Sequence, residues 1–141
     1  MKKSKLIVDH NFDFELAGII SNAKGYKLTW EINRVLKLNL VKAKDLVLSF
    51  IDNNHLTILN YKYETENNKL LLIKNRGVES DGIPGSFLIP ELQRFDYLLW
   101  ARSVDEFDFV LWIDKIKELK VIQYAIRIDI EKLKSKENLL F

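Results

Sequence analysis

Glu91 and Asp96 are two carboxylates close enough in sequence to suggest proton transfer. Two carboxylic groups can act as general acid and general base when both reach the same substrate. They lie on either side of a predicted turn, and the adjacent Tyr97 could help to bind a small ligand. Because carboxylates are common, this spacing alone predicts no catalytic residue. A small-ligand binder or enzyme using the Glu91–Asp96–Tyr97 region is kept as an alternative, and the sequence favours a protein that is not an enzyme.

Histidine, cysteine and serine give no pattern of a metal or nucleophile site. His10 and His55 are the only histidines, cysteine is absent, and neither histidine has further ligands at metal-binding spacing. Ser86 ends a glycine-rich stretch that could bind an anion through backbone N–H groups. That stretch lacks the Gly-Lys-Ser/Thr ending of a P-loop, and the chain has no Gly-x-Ser-x-Gly sequence. We therefore predict no metal, no cofactor and a surface loop.

Tyr61 and Tyr63 are the residues that could bind RNA. On a strand, side chains two positions apart share a face, and aromatic pairs on an open sheet stack against RNA bases. The surrounding sequence lacks the glycine of the RNA-recognition pattern. Packing of the two rings against a neighbouring strand is the alternative interpretation.

The segment from Ile89 to Tyr97 carries a recognisable pattern. Five of its residues match the signature of the bacterial IPExxxVDY family, which the chain resembles: Ile89, Pro90, Glu91, Asp96 and Tyr97. Phe95 stands where the signature has valine. The resemblance implies a short single domain and a bacterial source. It implies no activity, because the family is named for the pattern alone.

The same segment has a structural interpretation. Ile89 precedes a proline and is expected to be extended, and Pro90 suits the first position of a short helical turn. Glu91 is favourable at the positive end of that turn. Phe95 and Tyr97 are then expected on one strand face, together with Leu99 and Ala101. On this interpretation the segment joins a loop to a strand.

Hydrophobic periodicity predicts the elements that position these residues. Strands are predicted at residues 12–20, 46–51, 56–64, 69–74, 95–102 and 121–130, and helices at residues 22–38 and 103–120. The order is β-α-β-β-β-β-α-β. Since short polar turns join consecutive strands, we expect an α+β fold: a single antiparallel sheet of about six strands with two helices on one face.

The two predicted helices each have an apolar side. In the first helix we expect Tyr26 and Trp30 to be buried beside Leu28 and Ile32, and in the second we expect Trp112 to be buried. Ser103 and Glu106 form a capping box that would begin the second helix. Asp105, Glu106 and Asp108 could bind a cation, but acidic residues are also favourable in a first helical turn.

Several predicted strands are apolar on both sides, so the face opposite the helices needs a cover. The residues expected on that face are Val47, Ile51, Leu71, Ile73, Leu98 and Trp100. A cluster of this kind left in water would form an exposed patch that soluble monomers rarely have. The C-terminal tail, the loop from Arg76 to Arg94 or another protein chain could cover it. We expect the tail, a second copy of the chain, or both, and therefore a possible homodimer.

Composition sets the outer bounds on function. The chain has 141 residues, of which 48% are hydrophobic, and a net charge of +2. This predicts a single domain over residues 1–141 and makes nucleic acid an unlikely partner. No apolar run reaches membrane-spanning length, and the basic N-terminus lacks the apolar stretch of a signal peptide. We expect a cytoplasmic, non-enzymatic module that binds a protein partner, with an RNA- or ribosome-associated protein as the alternative.

Overall fold

Six antiparallel strands form the main sheet of the computed structural model, which describes residues 12–49, 55–78, 86–103 and 108–141. The sheet contains β1 (Glu15–Ile20), β2 (Val41–Lys42), β5 (Asn60–Glu64), β6 (Asn68–Lys74), β7 (Tyr97–Ser103) and β8 (Tyr124–Arg127). The strand order across the sheet is β2-β5-β6-β7-β1-β8. A separate two-stranded sheet contains β3 (Leu46–Ser49) and β4 (His55–Ile58). The α+β prediction is confirmed.

The predicted strand at residues 56–64 is divided in the structure. Its first half, β4, pairs with β3, and its second half, β5, pairs with β6 in the main sheet. Leu59 lies between the two strands. The short strand β2 is an addition to the predicted order and pairs with β5 at the sheet edge.

Both helices end near their predicted limits but begin later than expected. Helix α1 covers Gly25–Leu36 and helix α2 covers Phe109–Lys117. Ser103 is the last residue of β7, and Asp108 caps α2 by accepting a hydrogen bond from the Leu111 N–H at 3.0 Å. The predicted cap at Ser103 is therefore wrong, because that residue still belongs to the ladder between β6 and β7. Asp105 and Glu106 lie outside the described residues.

Trp30 and Tyr26 are exposed, so their predicted burial is wrong. Trp30 is 62% exposed and Tyr26 is 68% exposed. The buried positions of α1 are Leu28, Thr29, Ile32 and Leu36. At about 100° per residue, each of the two aromatic residues lies roughly 160–200° around the helix from Leu28. Trp112 on α2 is half-buried.

The helices cover one face of the sheet. Leu28 and Ile32 of α1 and Ile113 and Ile116 of α2 join one buried cluster with alternate residues of the strands. Those strand residues are Ala17, Ile19, Leu70, Leu72, Tyr97, Leu99, Ala101 and Ala125. Ala125 is thus the residue of β8 that points to the helices. Tyr124 and Ile126 lie on the other side of this strand and are exposed.

The opposite face of the sheet is buried as well, and the chain itself covers it. Leu71, Ile73, Leu98 and Trp100 lie in a second cluster with three covering segments. The first is the β3–β4 sheet, the second is the stretch from Leu88 to Phe95, and the third is the C-terminal segment. Trp100 donates its Nε1–H to the Leu139 carbonyl oxygen at 2.9 Å, which fixes the C-terminal segment on the sheet.

The predicted composition of this face needs two corrections. Val47 is 60% exposed, because β3 belongs to the covering sheet and turns Val47 outward. Phe95 contributes its ring to this cluster, not to the helix side with Tyr97, because it precedes β7 and does not follow the alternation of that strand. Ile51 lies outside the described residues. Because the chain itself covers this face, no exposed apolar patch on it argues for a homodimer, which stays a prediction.

Candidate functional site

The segment from Ile89 to Tyr97 forms a short 3₁₀ turn that leads into β7. The 3₁₀ turn covers Pro90–Leu92, with Pro90 at its first position and Glu91 at its second. Ile89 precedes it in an extended conformation (φ −121°, ψ 93°) and is fully buried. Proline at this position loses no helical hydrogen bond, since the first N–H groups of a helix have no partner within the helix.

Asn75 is a fully buried polar residue around which this segment folds. Its side-chain Oδ1 accepts a hydrogen bond from the Ile89 N–H at 2.9 Å. Its Nδ2 donates to the carbonyl oxygens of Leu92 at 3.0 Å and Phe95 at 3.3 Å. One buried amide thus satisfies several backbone groups of a turn that has few partners of its own. No sequence pattern pointed to Asn75, whose only local signal is its position directly after a strand.

Glu91 binds the C-terminal segment. Ser135 donates its backbone N–H to Glu91 Oε2 at 2.7 Å and its hydroxyl to Oε1 at 2.9 Å. Partial burial raises the pKa of Glu91, but hydrogen bonds from Ser135 and from the backbone of Glu91 and Lys134 together outweigh it and hold this pKa below its ordinary value. The carboxylate therefore joins the turn to residues 44 positions further along the chain.

Asp96 and Tyr97 bind the connection between β1 and α1. Asp96 Oδ2 accepts the backbone N–H of Ser21 at 2.9 Å, and the Tyr97 hydroxyl donates to the Ala23 carbonyl oxygen at 2.8 Å. Burial, with smaller contributions from Tyr61 and Asp96, raises the pKa of Tyr97 to about 12. Tyr97 is consequently a neutral hydrogen-bond donor at physiological pH.

The two carboxylates of the hypothetical acid–base pair thus have different partners. Glu91 contacts the C-terminal segment and Asp96 contacts the start of the β1–α1 connection. Three open surface depressions formed by the described residues lie elsewhere: at the β5–β6 turn, beside β3, and near the end of β8. The hydrogen bonds of Glu91, Asp96 and Tyr97 thus join segments that are distant in the sequence. A catalytic or ligand-binding role for Glu91, Asp96 and Tyr97 stays a prediction.

Tyr61 and Tyr63 lie on the helix-covered face of β5. Both are half-buried and pack against the helix-side cluster. The Tyr61 ring lies over the start of α1, where a Cβ atom at Gly25 would be 2.9 Å from the ring. The two rings pack against the protein's own helix side, and RNA stacking on them stays a prediction.

The remaining candidates are dispersed. His55 is an exposed residue at the start of β4, and His10 lies outside the described residues. Ser86 accepts the Gly77 N–H through its backbone oxygen at 2.8 Å, and residues 79–85 before it lie outside the described part. Within the part of the chain that the structure describes, no group of three histidine or acidic side chains is placed to bind a metal.

A stripe of exposed residues on α1 was not predicted. Tyr26, Trp30 and Arg34 are spaced four residues apart, so they follow one side of the helix. The Arg34 guanidinium lies 5.7 Å from the centre of the Trp30 ring and 2.6 Å from Glu31 Oε1. We call these three residues the α1 stripe. The expectation that the two aromatic residues face the core is wrong, because a rotation of about 100° per residue places them opposite Leu28.

Positive charge surrounds the α1 stripe. Three exposed lysines lie in the helix or next to its ends: Lys24, Lys27 and Lys37. Glu31 is the acidic residue of α1, and it forms an ion pair with Arg34. A partner with apolar groups and carboxylates would complement this surface.

Comparison of the chain with protein-family models, with curated proteins and with solved structures finds no match. The resemblance to the IPExxxVDY family therefore stays a prediction. Among the described residues, no helix is long and apolar enough to cross a membrane.

Proposed function

We propose that this protein is a cytoplasmic, non-enzymatic module that binds a partner protein through the α1 stripe. The observation that carries the proposal is the exposure of Tyr26 and Trp30, at 68% and 62%, on a helix whose other side is fully buried. Large aromatic side chains in water cost free energy, and a binding partner recovers it.

The residue types support a protein partner. Tryptophan, tyrosine and arginine are the residues most enriched at the energetic centres of protein interfaces. The α1 stripe presents one of each on a rigid element, and the ion pair with Glu31 fixes Arg34 over Trp30. Little conformational entropy is then lost on binding.

The charge around the stripe indicates the chemistry of the partner. Lysines flank the aromatic residues, and the chain as a whole has a net charge of +2. A localised positive rim around an apolar centre favours a protein surface with apolar groups bordered by carboxylates. A nucleic acid would be expected to require a broader basic surface.

The proposal is tested by comparing variants in capture from the native cell. Wild-type protein and three variants, Trp30→Ala, Arg34→Ala and the control Val47→Ala, are immobilised and the retained proteins are identified. Val47 is 60% exposed on the small sheet, so it matches Trp30 in exposure but lies outside α1. We expect a protein that wild type and Val47→Ala retain and that Trp30→Ala loses.

The affinity of that protein is then measured in purified form. We expect Trp30→Ala to weaken binding by about 30-fold or more, which corresponds to roughly 2 kcal/mol for an interface hot spot. Its own free energy of unfolding should change by less than about 0.5 kcal/mol, as for other surface sites.

Two results would contradict the proposal. One is a set of retained proteins that Trp30→Ala and Arg34→Ala leave unchanged. The other is retention that ribonuclease abolishes and that falls steeply with salt, which would favour the RNA-associated alternative instead.

A further inference from the structure

Lys69 lies at the centre of a row of charged residues that crosses three strands of the main sheet. It is opposite Glu64 of β5 on one side and opposite Arg102 of β7 on the other. Residues directly opposite each other in antiparallel strands share a face, with Cβ atoms about 4.5–5.5 Å apart. This face is the one opposite the helices, because Leu71, two residues further along β6, belongs to the cluster on that side. The row therefore places an amine between a carboxylate and a guanidinium group.

The buried Trp100 ring forms an apolar floor beneath both cations of the row. The Lys69 Nζ atom lies 5.9 Å from the centre of this ring, and the Arg102 guanidinium lies 5.2 Å from it. Two like charges directly opposite each other are unfavourable in a sheet. An anion that binds both groups, or the loss of one of the two charges, would relieve this repulsion.

The acidic residues beside the row are paired with other cations. Glu64 Oε1 lies 3.4 Å from Lys62 Nζ, and Asp13 Oδ1 lies 3.9 Å from Arg102 Nη1. Within the part of the chain that the structure describes, Lys69 itself forms no ion pair. No carboxylate therefore holds its amine in the charged form by direct contact.

The surroundings of Lys69 favour its neutral form. Partial burial lowers the pKa of Lys69, because the apolar floor disfavours the charged amine. Glu64 opposes this effect, whereas Arg102 and Lys62 lower the pKa further. A lysine attacks electrophiles as the neutral amine. At a given pH a larger fraction of Lys69 is therefore reactive than of a lysine with the ordinary pKa.

An open depression of about 250 Å³ gives small molecules access to the row. Lys69 and Arg102 line it together with the polar side chains of Thr65 and Asn68. Its volume is several times the roughly 30 Å³ that a water molecule occupies in the liquid, so a small phosphorylated compound fits. Glu66 also lines the depression. Since this carboxylate repels anions, the binding of a phosphate is expected to be weak.

We propose that Lys69 is an acyl-acceptor site for acyl phosphates, with Arg102 binding the phosphate group of the acyl donor. The neutral Lys69 amine attacks the carbonyl carbon, an N–C bond forms and the C–O bond to the phosphate breaks. Inorganic phosphate leaves with the bonding electron pair, and the nitrogen releases its proton to Glu64 or to water. The product is a neutral amide, so two like charges no longer oppose each other beside Trp100.

The proposed modification is independent of the proposed function. Each chain consumes one acyl phosphate and is not regenerated, so the reaction is compatible with a protein that is not an enzyme. The site also lies on the sheet face opposite α1, away from the α1 stripe.

The first test compares lysines within one chain, with acetyl phosphate as the probe and mass spectrometry of peptides as the measurement. Lys24 and Lys27 are exposed at α1 and serve as the reference. In the folded chain we expect Lys69 to be acetylated at least about fivefold faster than either of them. In the chain unfolded by denaturant this preference should disappear, because the three strands no longer hold the row together.

The second test separates phosphate binding from the reactivity of the amine. The N-hydroxysuccinimide ester of acetic acid transfers the same acetyl group but carries no phosphate for Arg102 to bind. The ratio of the Lys69 rates with acetyl phosphate and with this ester cancels any change in the pKa of Lys69. We expect the ratio to fall at least about threefold in Arg102→Ala, since a charge-assisted contact to phosphate is lost.

Two controls accompany this substitution. Arg127→Ala removes an exposed arginine that is paired with Glu15 on β1, and it should leave the ratio unchanged. Circular dichroism confirms that the variants fold. Competition by inorganic phosphate needs no substitution: it should slow the acetylation of Lys69 by acetyl phosphate more than that of Lys24.

The proposal is overturned if Lys69 reacts no faster than Lys24 and Lys27, or if its preference persists in the unfolded chain. It is equally overturned if Arg102→Ala leaves the ratio unchanged, or if Arg127→Ala lowers it to the same extent. Equal slowing of Lys69 and Lys24 by inorganic phosphate would also overturn it. Partner binding by the α1 stripe is measured separately, and none of these results bears on it.

Discussion

Gly18 lies under the Phe95 ring, and this contact decides the effect of a methyl group at that position. A Cβ atom at Gly18 would be 2.7 Å from the ring, which is 2% exposed and has no space to move into. Alanine in a strand is usually more stable than glycine by about 0.5–1 kcal/mol. Here overpacking makes the substitution destabilising, and Gly18→Ala should lower the free energy of unfolding by about 1–3 kcal/mol.

A second substitution tests the cause. Valine at residue 95, as in the family signature, removes the ring that the new methyl group would contact. In denaturant unfolding, the combined cost of Gly18→Ala and Phe95→Val should be smaller than the sum of the single costs by more than about 1 kcal/mol. Gly18→Ala with Ile113→Val, in the other cluster, should be additive. Additivity in both pairs would show that the ring is not the obstacle.

Glu91 gives the protein a pH dependence with a definite sign. Its pKa in the folded state lies below the ordinary value of about 4.5. The ionised carboxylate therefore stabilises the fold above that value, and the contribution disappears as pH falls through the lower, folded-state pKa. Because Glu91 is exposed, solvent screening keeps the effect below about 1 kcal/mol.

The measurement compares wild type with Glu91→Gln in denaturant at pH 7 and at progressively lower pH. The difference in stability should be present at pH 7 and vanish once the wild-type carboxylate is protonated. Glu66→Gln removes the same charge from an exposed turn and serves as the control. An equal pH dependence in both variants would mean that the hydrogen bonds from Ser135 have no energetic effect.

At the scale of elements, the C-terminal segment belongs to the core. Leu139 is fully buried, whereas its neighbour Leu140 is 37% exposed. Leu139→Ala should lower the free energy of unfolding by about 2–5 kcal/mol, since it leaves a cavity next to Trp100. Leu140→Ala removes the same atoms at the surface and should cost less than about 1 kcal/mol.

Removal of residues 134–141 extends this test. The shortened chain loses both the Ser135 contact with Glu91 and the hydrogen bond to Trp100. We expect a large loss of stability and a shift in Trp100 fluorescence toward that of an exposed ring. Equal stability of the full and shortened chains would show that the β3–β4 sheet and the Leu88–Phe95 segment suffice as a cover.

At the scale of the whole molecule, the two apolar clusters share the same strands. On β6, Leu70 and Leu72 point to the helices while Leu71 and Ile73 point to the opposite cluster. Neither cluster can lose its strands without exposing the other. We therefore expect one cooperative unfolding transition for the whole chain.

Two tryptophans allow each cluster to be followed separately. Trp112 packs against the helix-side cluster and Trp100 lies in the opposite one. We consider two variants, each of which keeps either Trp112 or Trp100 and has phenylalanine in place of the other tryptophan and of Trp30. Each variant should unfold in a single transition, with the same denaturant midpoint by circular dichroism and by fluorescence. Fluorescence midpoints that depart from the circular dichroism midpoint would indicate that one layer opens before the other.

The sequence by itself determined the α+β class, the places of the two helices among the strands and the need to cover both faces of the sheet. These features follow from short-range geometry: side chains alternate along strands, as Leu70 to Ile73 do, and polar turns separate the strands. The apolar side of α2 follows from helical periodicity, and the Pro90 turn follows from the backbone preferences of proline. Helical periodicity also places Trp30 opposite Leu28, so the expected burial of Trp30 does not follow from it.

The tertiary structure alone decided which segments meet. The contacts of Asn75 with Ile89, of Glu91 with Ser135 and of Trp100 with Leu139 join residues 14 to 44 positions apart. No local pattern encodes such contacts, because they depend on where the whole chain places each backbone group. The same reason applies to the exposure of Ile126, which the tertiary structure alone decides.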